Sequence, residues 1–184
     1  KTVPPIPVDG ENIITSTEAM VLKEQPKEMI IIGAGAIGVE FAYFYNVLGT
    51  KVTIIEMLDR LVPVEDKEVS DVLEKSFKKR GMEIYTKTTV DKAEVKDGKV
   101  HVTITKDGET KELAADKVLN AIGVTGNVEG IGLEDLGIEI EKNHIKVDKS
   151  NYKTNVDNIY AIGDVIGPPW LAHVASAEGI TCVE

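Results

Sequence analysis

The stretch MIIIGAGAIGVEFAYFYNVLGTKVTIIE, Met29 to Glu56, decides the fold. Its apolar run Ile30, Ile31, Ile32 stops at Gly33. Gly33, Gly35 and Gly38 then spell Gly-x-Gly-x-x-Gly, and a helical pattern leads to a second apolar run ending in Glu56. A strand, a tight turn, a helix and a parallel strand are expected. Each glycine has its own mechanical reason: the first permits the tight turn, the second lets backbone approach a pyrophosphate, and the third lets helix pack closely on strand. Phosphates would sit at the helix N-terminus, where unpaired N–H groups and the helix dipole favour negative charge. Such a string alone is weak, because a tight glycine turn needs no ligand. Context strengthens it: Glu56 lies 18 positions after Gly38, near the roughly 20 expected of an acid that hydrogen-bonds an adenosine ribose.

Between the glycines and Gly49 the apolar residues Ile37, Phe41, Phe44, Tyr45 and Leu48 recur at three- and four-residue steps, so one stripe is expected to face the sheet. Glu56 chooses between cofactors. Its carboxylate would accept from both ribose hydroxyls of NAD and repel the 2'-phosphate of NADP, so NAD is expected; Arg60 is the nearest cation that could soften that choice. The plainer alternative for Glu56 is a solvated strand-end carboxylate. Glu40 has one too, since the dipole favours an acid in the first turn of a helix with no ligand present.

A chain of 184 residues, 42% hydrophobic and 28% charged, can bury a sizeable core as one or two globular units. A formal charge of -10 argues against nucleic acid or an anionic membrane surface as partner. No apolar run approaches the roughly 18 residues of a membrane span and no signal-peptide pattern opens the chain, so a cytoplasmic location is expected. Cys182 is the only cysteine and has no partner for an intramolecular disulfide or a redox pair. His101, His144 and His173 have no cysteine or carboxylate pattern around them, and no metal site is expected. Lys1 opens the chain in place of methionine and Glu184 closes it inside a helical pattern, as in a portion cut from something longer.

Residues 1 to 28 read as a connector with a brief strand at Asn12 to Thr15 and a short helix start at Ser16 to Ala19. After Glu56, Asp66 sits where an N-cap would, ahead of Val69, Val72, Leu73 and Phe77 at helical spacing; Arg80-Gly81 closes that helix, and Met82 to Tyr85 is a third strand. The alternation strand, helix, strand, helix, strand implies a right-handed parallel sheet. From Val90 the period changes to two: Val90 to Val95, Val100 to Thr105 and Thr110 to Leu113 alternate apolar and polar residues around Asp97-Gly98 and Asp107-Gly108, the dipeptides of tight hairpins. The fold class is therefore α/β, a Rossmann-like parallel sheet with helices and an inserted three-stranded antiparallel meander. Lys117 to Ile122 returns to the parallel sheet and ends at Gly123, on the edge where ligands bind in such folds. Two short strands around Lys142-Asn143 follow, and Thr154 to Val165 reads as an apolar strand ending in Gly163-Asp164. That aspartate can receive hydroxyls of a second ligand, or serve only as an Asx turn or helix cap.

Together IIIGAGAIGVEFA, VTIIEMLDRLVP, the Asp-Gly hairpins, VLNAIG and above all TNVDNIYAIGDV with LAHVASAEG resemble the flavin-dependent pyridine-nucleotide disulfide oxidoreductases, over essentially the whole chain. The resemblance implies residues 1–14 as a connector of an FAD-binding domain, 15–141 as an NAD-binding domain and 142–184 as the C-terminal part of the FAD-binding domain. By motif position Gly33, Gly35, Ala36, Ile37, Gly38 and Glu56 would hold NAD, Gly123 would line its pocket, and Glu40 would stand beside the nicotinamide. Asp164 would bind the ribityl chain of FAD, with the backbone near Leu171 and Ala172 close to the flavin ring. The implied reaction passes electrons from a dithiol through a cysteine pair and FAD to NAD. Its partners would be a lipoyl domain of a 2-oxo acid dehydrogenase complex and a second subunit in a homodimer.

The family's first glycine-rich FAD motif, its Cys-x-x-x-x-Cys and its C-terminal dimer domain with a His-Glu pair do not occur in these residues. No catalytic residue is therefore expected here, FAD is expected only in a full-length protein, and NAD binding is the activity expected of this chain alone. After Ala-Ile-Gly, Val124-Thr125-Gly126-Asn127 stands where the commoner family pattern has arginines and proline. Two alternatives stay open: another flavoprotein disulfide reductase, or a non-catalytic NAD-sensing module, which would need neither the meander nor the Gly-Asp tail.

Overall fold

A strand covered on both faces reads as an unbroken apolar run, and Ile30 to Ile32 lie at the centre of a five-stranded parallel sheet. The computed structural model describes residues 3–184. They divide into two compact units, one ending at Gly123 and one running Val124–Glu184.

In the first unit the elements are β1 (Ile13–Ile14), α1 (Ser16–Ala19), β2 (Glu28–Ile32), α2 (Ala36–Val47), β3 (Lys51–Ile55), α3 (Lys67–Lys79), β4 (Glu83–Tyr85), β5 (Thr89–Lys96), β6 (Lys99–Lys106), β7 (Glu109–Ala115) and β8 (Lys117–Asn120). The parallel sheet runs β1-β8-β2-β3-β4, and β5-β6-β7 form the separate antiparallel meander. This is the α/β architecture expected of the sequence. Its hairpins turn where expected, with positive φ at Asp97, Gly98, Asp107 and Gly108, as two-residue turns between twisted strands require.

Alternation along β2 sorts the sheet's two faces. Met29 and Ile31 share a core with Val52, Ile54, Leu119 and the helix residues Val39, Ala42, Tyr45 and Phe77. Ile30 and Ile32 share another with Ile55, Val118 and the meander residues Val100, Val102 and Ile104. Helices thus cover one face and the meander the other, which is why β2 has no polar residue between Met29 and Ile32.

Two helical stripes differ from expectation. On α2 the face against the sheet is Gly38, Val39, Ala42 and Tyr45, flanked by the half-buried Ile37 and Phe41, while Phe44 and Leu48 are exposed. On α3 the buried residues are Ser70 and Phe77 with Leu73 beside them, and Val69 and Val72 are exposed. Asp66 occupies the N-cap of α3 but makes no side-chain cap bond.

The second unit has its own small core of Val128, Leu133, Ile138, Ile145 and Ile166. A two-stranded ribbon, β9 (Ile140–Glu141) with β10 (His144–Ile145), turns through Lys142 and Asn143, both at positive φ. The strand expected over Thr154 to Val165 is instead a single antiparallel bridge, Lys153 with Tyr160, leading into a 3₁₀ turn at Gly163–Ile166. An apolar run becomes a strand only where another strand completes its ladder, and the two-stranded sheet here is β9-β10 alone. The helix α4 (Ala172–Val183) follows.

Candidate functional site

The chain leaves β2 toward β3 and β4 on one side and later returns through β8 on the other, so the winding reverses between β2 and β8. Open parallel sheets bind ligands at such a reversal, outside the carboxyl ends of the strands. Gly33 stands there. Its N–H donates to Ile55 O at 2.8 Å, and next to it Ala121 N–H donates to Ile32 O at 2.7 Å.

The three glycines differ in what a side chain would meet. Gly33 has φ +99°, and a Cβ there would lie 2.4 Å from Ala121 O. At Gly38 a Cβ would lie 1.9 Å from Gly33 O, so α2 sits directly on the loop it springs from. Gly35 has an extended φ of -70° as the N-cap of α2, and a Cβ there would meet nothing within 4 Å. Protein packing accounts for two of the three and leaves the space beside Gly35 open.

That space adjoins a bare helix end. No side chain caps α2, and its first turn carries no acid, so the N–H groups of Ala36, Ile37 and Gly38 keep the positive end of the dipole uncovered. The four-residue α1 shows the contrast: Thr15 and Glu18 close a full capping box on it.

Glu56 is 8% exposed and joins this loop. Oε2 accepts from Ala34 N–H at 2.7 Å and Oε1 from Leu58 N–H at 2.8 Å. A carboxylate offers about four lone-pair sites, so each oxygen keeps one for a further donor. The carboxylate therefore stands at the C-terminal edge of the sheet against the glycine loop, which rules out the solvated strand end. Arg60 donates to Pro63 O at 3.2 Å and stands 3.9 Å from Asp59. Glu40 is exposed on α2, and Gly123, at φ +128°, follows β8 with open space where a Cβ would be.

In the second unit Gly163, at φ +73°, and Asp164 open the 3₁₀ turn, and the Asp164 side chain is exposed. Leu171 is the N-cap of α4 and Ala172 its first residue; no side chain caps this helix either. An exposed carboxylate near uncapped N–H groups fits a polyol hydroxyl and a carbonyl-bearing ring. Sequence reasoning missed the Ala34 and Leu58 amides, which are invisible as residue types. It also missed Glu178, 7% exposed, which accepts from Gly163 N–H at 2.7 Å; the available signal was a lone acid among the small residues of α4.

Among the described residues no three of His, Cys, Asp and Glu gather as metal ligands. No helix among them is long and apolar enough to cross a membrane.

Known proteins resemble this chain in sequence and fold. A family model described as pyridine nucleotide-disulphide oxidoreductase matches residues 2–179. The dihydrolipoyl dehydrogenase of Rhizobium etli is 43% identical across all of this chain and 38% of its own length. That of Mycobacterium tuberculosis is 48% identical across 94% of this chain and 37% of its own. Among solved structures, LpdA from Mycobacterium tuberculosis matches with a TM-score of 0.87 at 35% identity, over 98% of this chain and 39% of LpdA. The HOCl-induced flavoprotein disulfide reductase RclA from Escherichia coli matches with 0.84 at 31%, over 97% of this chain and 40% of RclA. The chain thus spans about two fifths of the length of the relatives it matches. The family is one of FAD- and NAD(P)-dependent disulfide oxidoreductases. Because the match runs unbroken from before the glycine loop to beyond the Gly-Asp turn, the chain belongs to the pyridine nucleotide-disulphide oxidoreductase family.

Proposed function

We propose that this chain supplies the NAD-binding unit, and part of the FAD-binding unit, of a dihydrolipoyl dehydrogenase that oxidises dihydrolipoamide. The observation that carries the reading is the joint geometry of Glu56 and Gly35: a carboxylate fastened to the glycine loop beside an open, uncapped helix end. The bare amides of Ala36, Ile37 and Gly38 would receive the diphosphate, and Gly35 gives it room. Glu56 would accept from the ribose hydroxyls with its remaining lone pairs and would repel a 2'-phosphate. Glu40 and Gly123 would border the nicotinamide. Asp164 would accept from a hydroxyl of the flavin's ribityl chain, and the N–H groups around Leu171 and Ala172 would face the ring. FAD and NAD would supply electron relay and hydride acceptance when bound; the residues of each unit would orient their own cofactor and exclude water from it.

Relatives named dihydrolipoyl dehydrogenase reach 48% identity over 94% of this chain, which supports dihydrolipoamide as the dithiol donor; a lipoyl domain of a 2-oxo acid dehydrogenase complex as its carrier, and a cytoplasmic homodimer, are part of the same proposal. The nucleotide assignment is tested by calorimetric titration of NAD and NADP against Glu56→Ala. The NAD preference is expected to narrow by about tenfold or more, the weight of one charge-assisted hydrogen bond. An unchanged ratio removes Glu56 from the site.

A further inference from the structure

α4 turns one face to the Gly-Asp turn, and that face is made of Ala175, Glu178 and Gly179, positions i, i+3 and i+4. Two of the three are small for a visible reason. A Cβ on Gly163 would lie 3.3 Å from the Ala175 Cβ, and one on Gly179 would lie 3.2 Å from Ile162 Cδ1. The third is the one buried side chain of α4, and it is a carboxylate. Its Oε2 accepts from Gly163 N–H at 2.7 Å. Helix and turn are packed closely, with the Ile162 side chain against Gly179, and the charged group between them grips the N–H of Gly163, the residue immediately before Asp164.

A buried carboxylate loses hydration and is retained only where a partner offsets that loss. Here the partner is the amide of a residue at φ +73°, so the bond anchors the Ile162–Gly163 peptide, from which Asp164 follows one residue on. We infer that Glu178 is a positioning residue for the flavin: through its bond to Gly163 it aims the Asp164 carboxylate at the polyol hydroxyls. This rests on the reading of Asp164 as a flavin ligand given above.

The test is a double-mutant cycle on FAD affinity in the complete gene product, measured by flavin fluorescence on reconstituting apoprotein. Asp164→Ala comes first, because an unchanged FAD affinity there refutes the flavin reading itself and takes the inference with it. If Asp164→Ala weakens binding, Glu178→Ala is expected to weaken it by about tenfold or more, as for a truncated charge-assisted bond. NAD affinity should stay unchanged. Glu178→Gln, whose amide oxygen still accepts, should fall between wild type and Glu178→Ala. The double variant should bind no more weakly than Asp164→Ala alone, since Glu178 acts through that residue. Additive losses, or NAD affinity falling in parallel, would assign Glu178 a general structural role and overturn the inference. Should Glu178→Ala fail to fold, the cycle runs with Glu178→Gln and the same two outcomes decide it.

Discussion

At the scale of single residues, the glycines of one motif divide into positions the protein needs for itself and a position it needs for something else. Gly38→Ala would drive a methyl into Gly33 O, 1.9 Å from where its Cβ must go. Overpacking of that kind costs about 1–3 kcal/mol or more, so a lowered thermal midpoint is expected with or without nucleotide. Gly35→Ala meets no atom within 4 Å and asks for no left-handed backbone. Its midpoint without ligand should move little, while NAD affinity by titration falls by about tenfold or more, the scale of a displaced phosphate contact. If both variants lost stability equally, the space beside Gly35 would have a structural use. Asp9 illustrates a residue whose role is purely local. Partial burial pushes its carboxyl up, but N–H groups of Glu11, Ile13 and Asn12 on Oδ1 outweigh that and hold it below the usual range. With the folded value depressed, its contribution is full above the unfolded value of about 3.9 and is lost as pH falls through the folded one. Asp9→Asn should flatten the stability profile below about pH 4 in acid titration followed by circular dichroism, and an unaltered acid limb would count against the Asp9 turn.

At the scale of elements, α2 shows why a helix can be recognised from sequence while its facing is misread. It is apolar nearly all round, so spacing alone does not rank Phe44 above Ala42. Size ranks them: the loop lies so close that the contact face must be built from Gly38 and Ala42, and the large rings turn outward or to the flanks. Tyr45 is the exception, buried at 3% exposure with its hydroxyl donating to Ala19 O at 2.5 Å, while Phe44 is 53% exposed. Tyr45→Ala should therefore cost about 3–5 kcal/mol in urea unfolding, whereas Phe44→Ser should cost no more than about 1.5 kcal/mol, the weight of its edge contact with the Tyr45 ring. The reverse ranking would restore the stripe read from periodicity. Strand β2 and the hairpins of the meander were legible because the signal is local: an isoleucine run in one case, and Asp-Gly pairs that accept positive φ in the other. The approach to Gly163 was not. Its apolar residues resemble a strand, but strand formation depends on a neighbour elsewhere in the chain, and only Tyr160 finds one.

At the scale of the molecule, the two compact units carry different parts of the proposed chemistry. Glycine loop, Glu56 and Gly123 all belong to the unit that ends at Gly123, and Asp164, Leu171 and Ala172 to the unit that follows. The residue types at both places could be read from the sequence. The bonds that hold them could not, because Ala34 and Leu58 act through amides every residue has, and Glu178 acts across a turn 15 residues away. One consequence concerns the 184 residues as a single polypeptide. The proposed oxidation of a dithiol needs two thiols that exchange with substrate before electrons reach a flavin, and Cys182 is the one cysteine present. Each NAD contact proposed above comes from within the first unit, whose core is built from its own strands and helices. NAD binding and turnover should therefore separate. Titration calorimetry on this polypeptide is expected to register NAD, with little response to NADP. Added FAD and dihydrolipoamide should yield no NADH above the buffer rate, measured by absorbance, whereas the complete gene product should turn over. NADH formation by the 184 residues alone would mean that electrons reach NAD without a cysteine pair, and the proposed route would have to be abandoned.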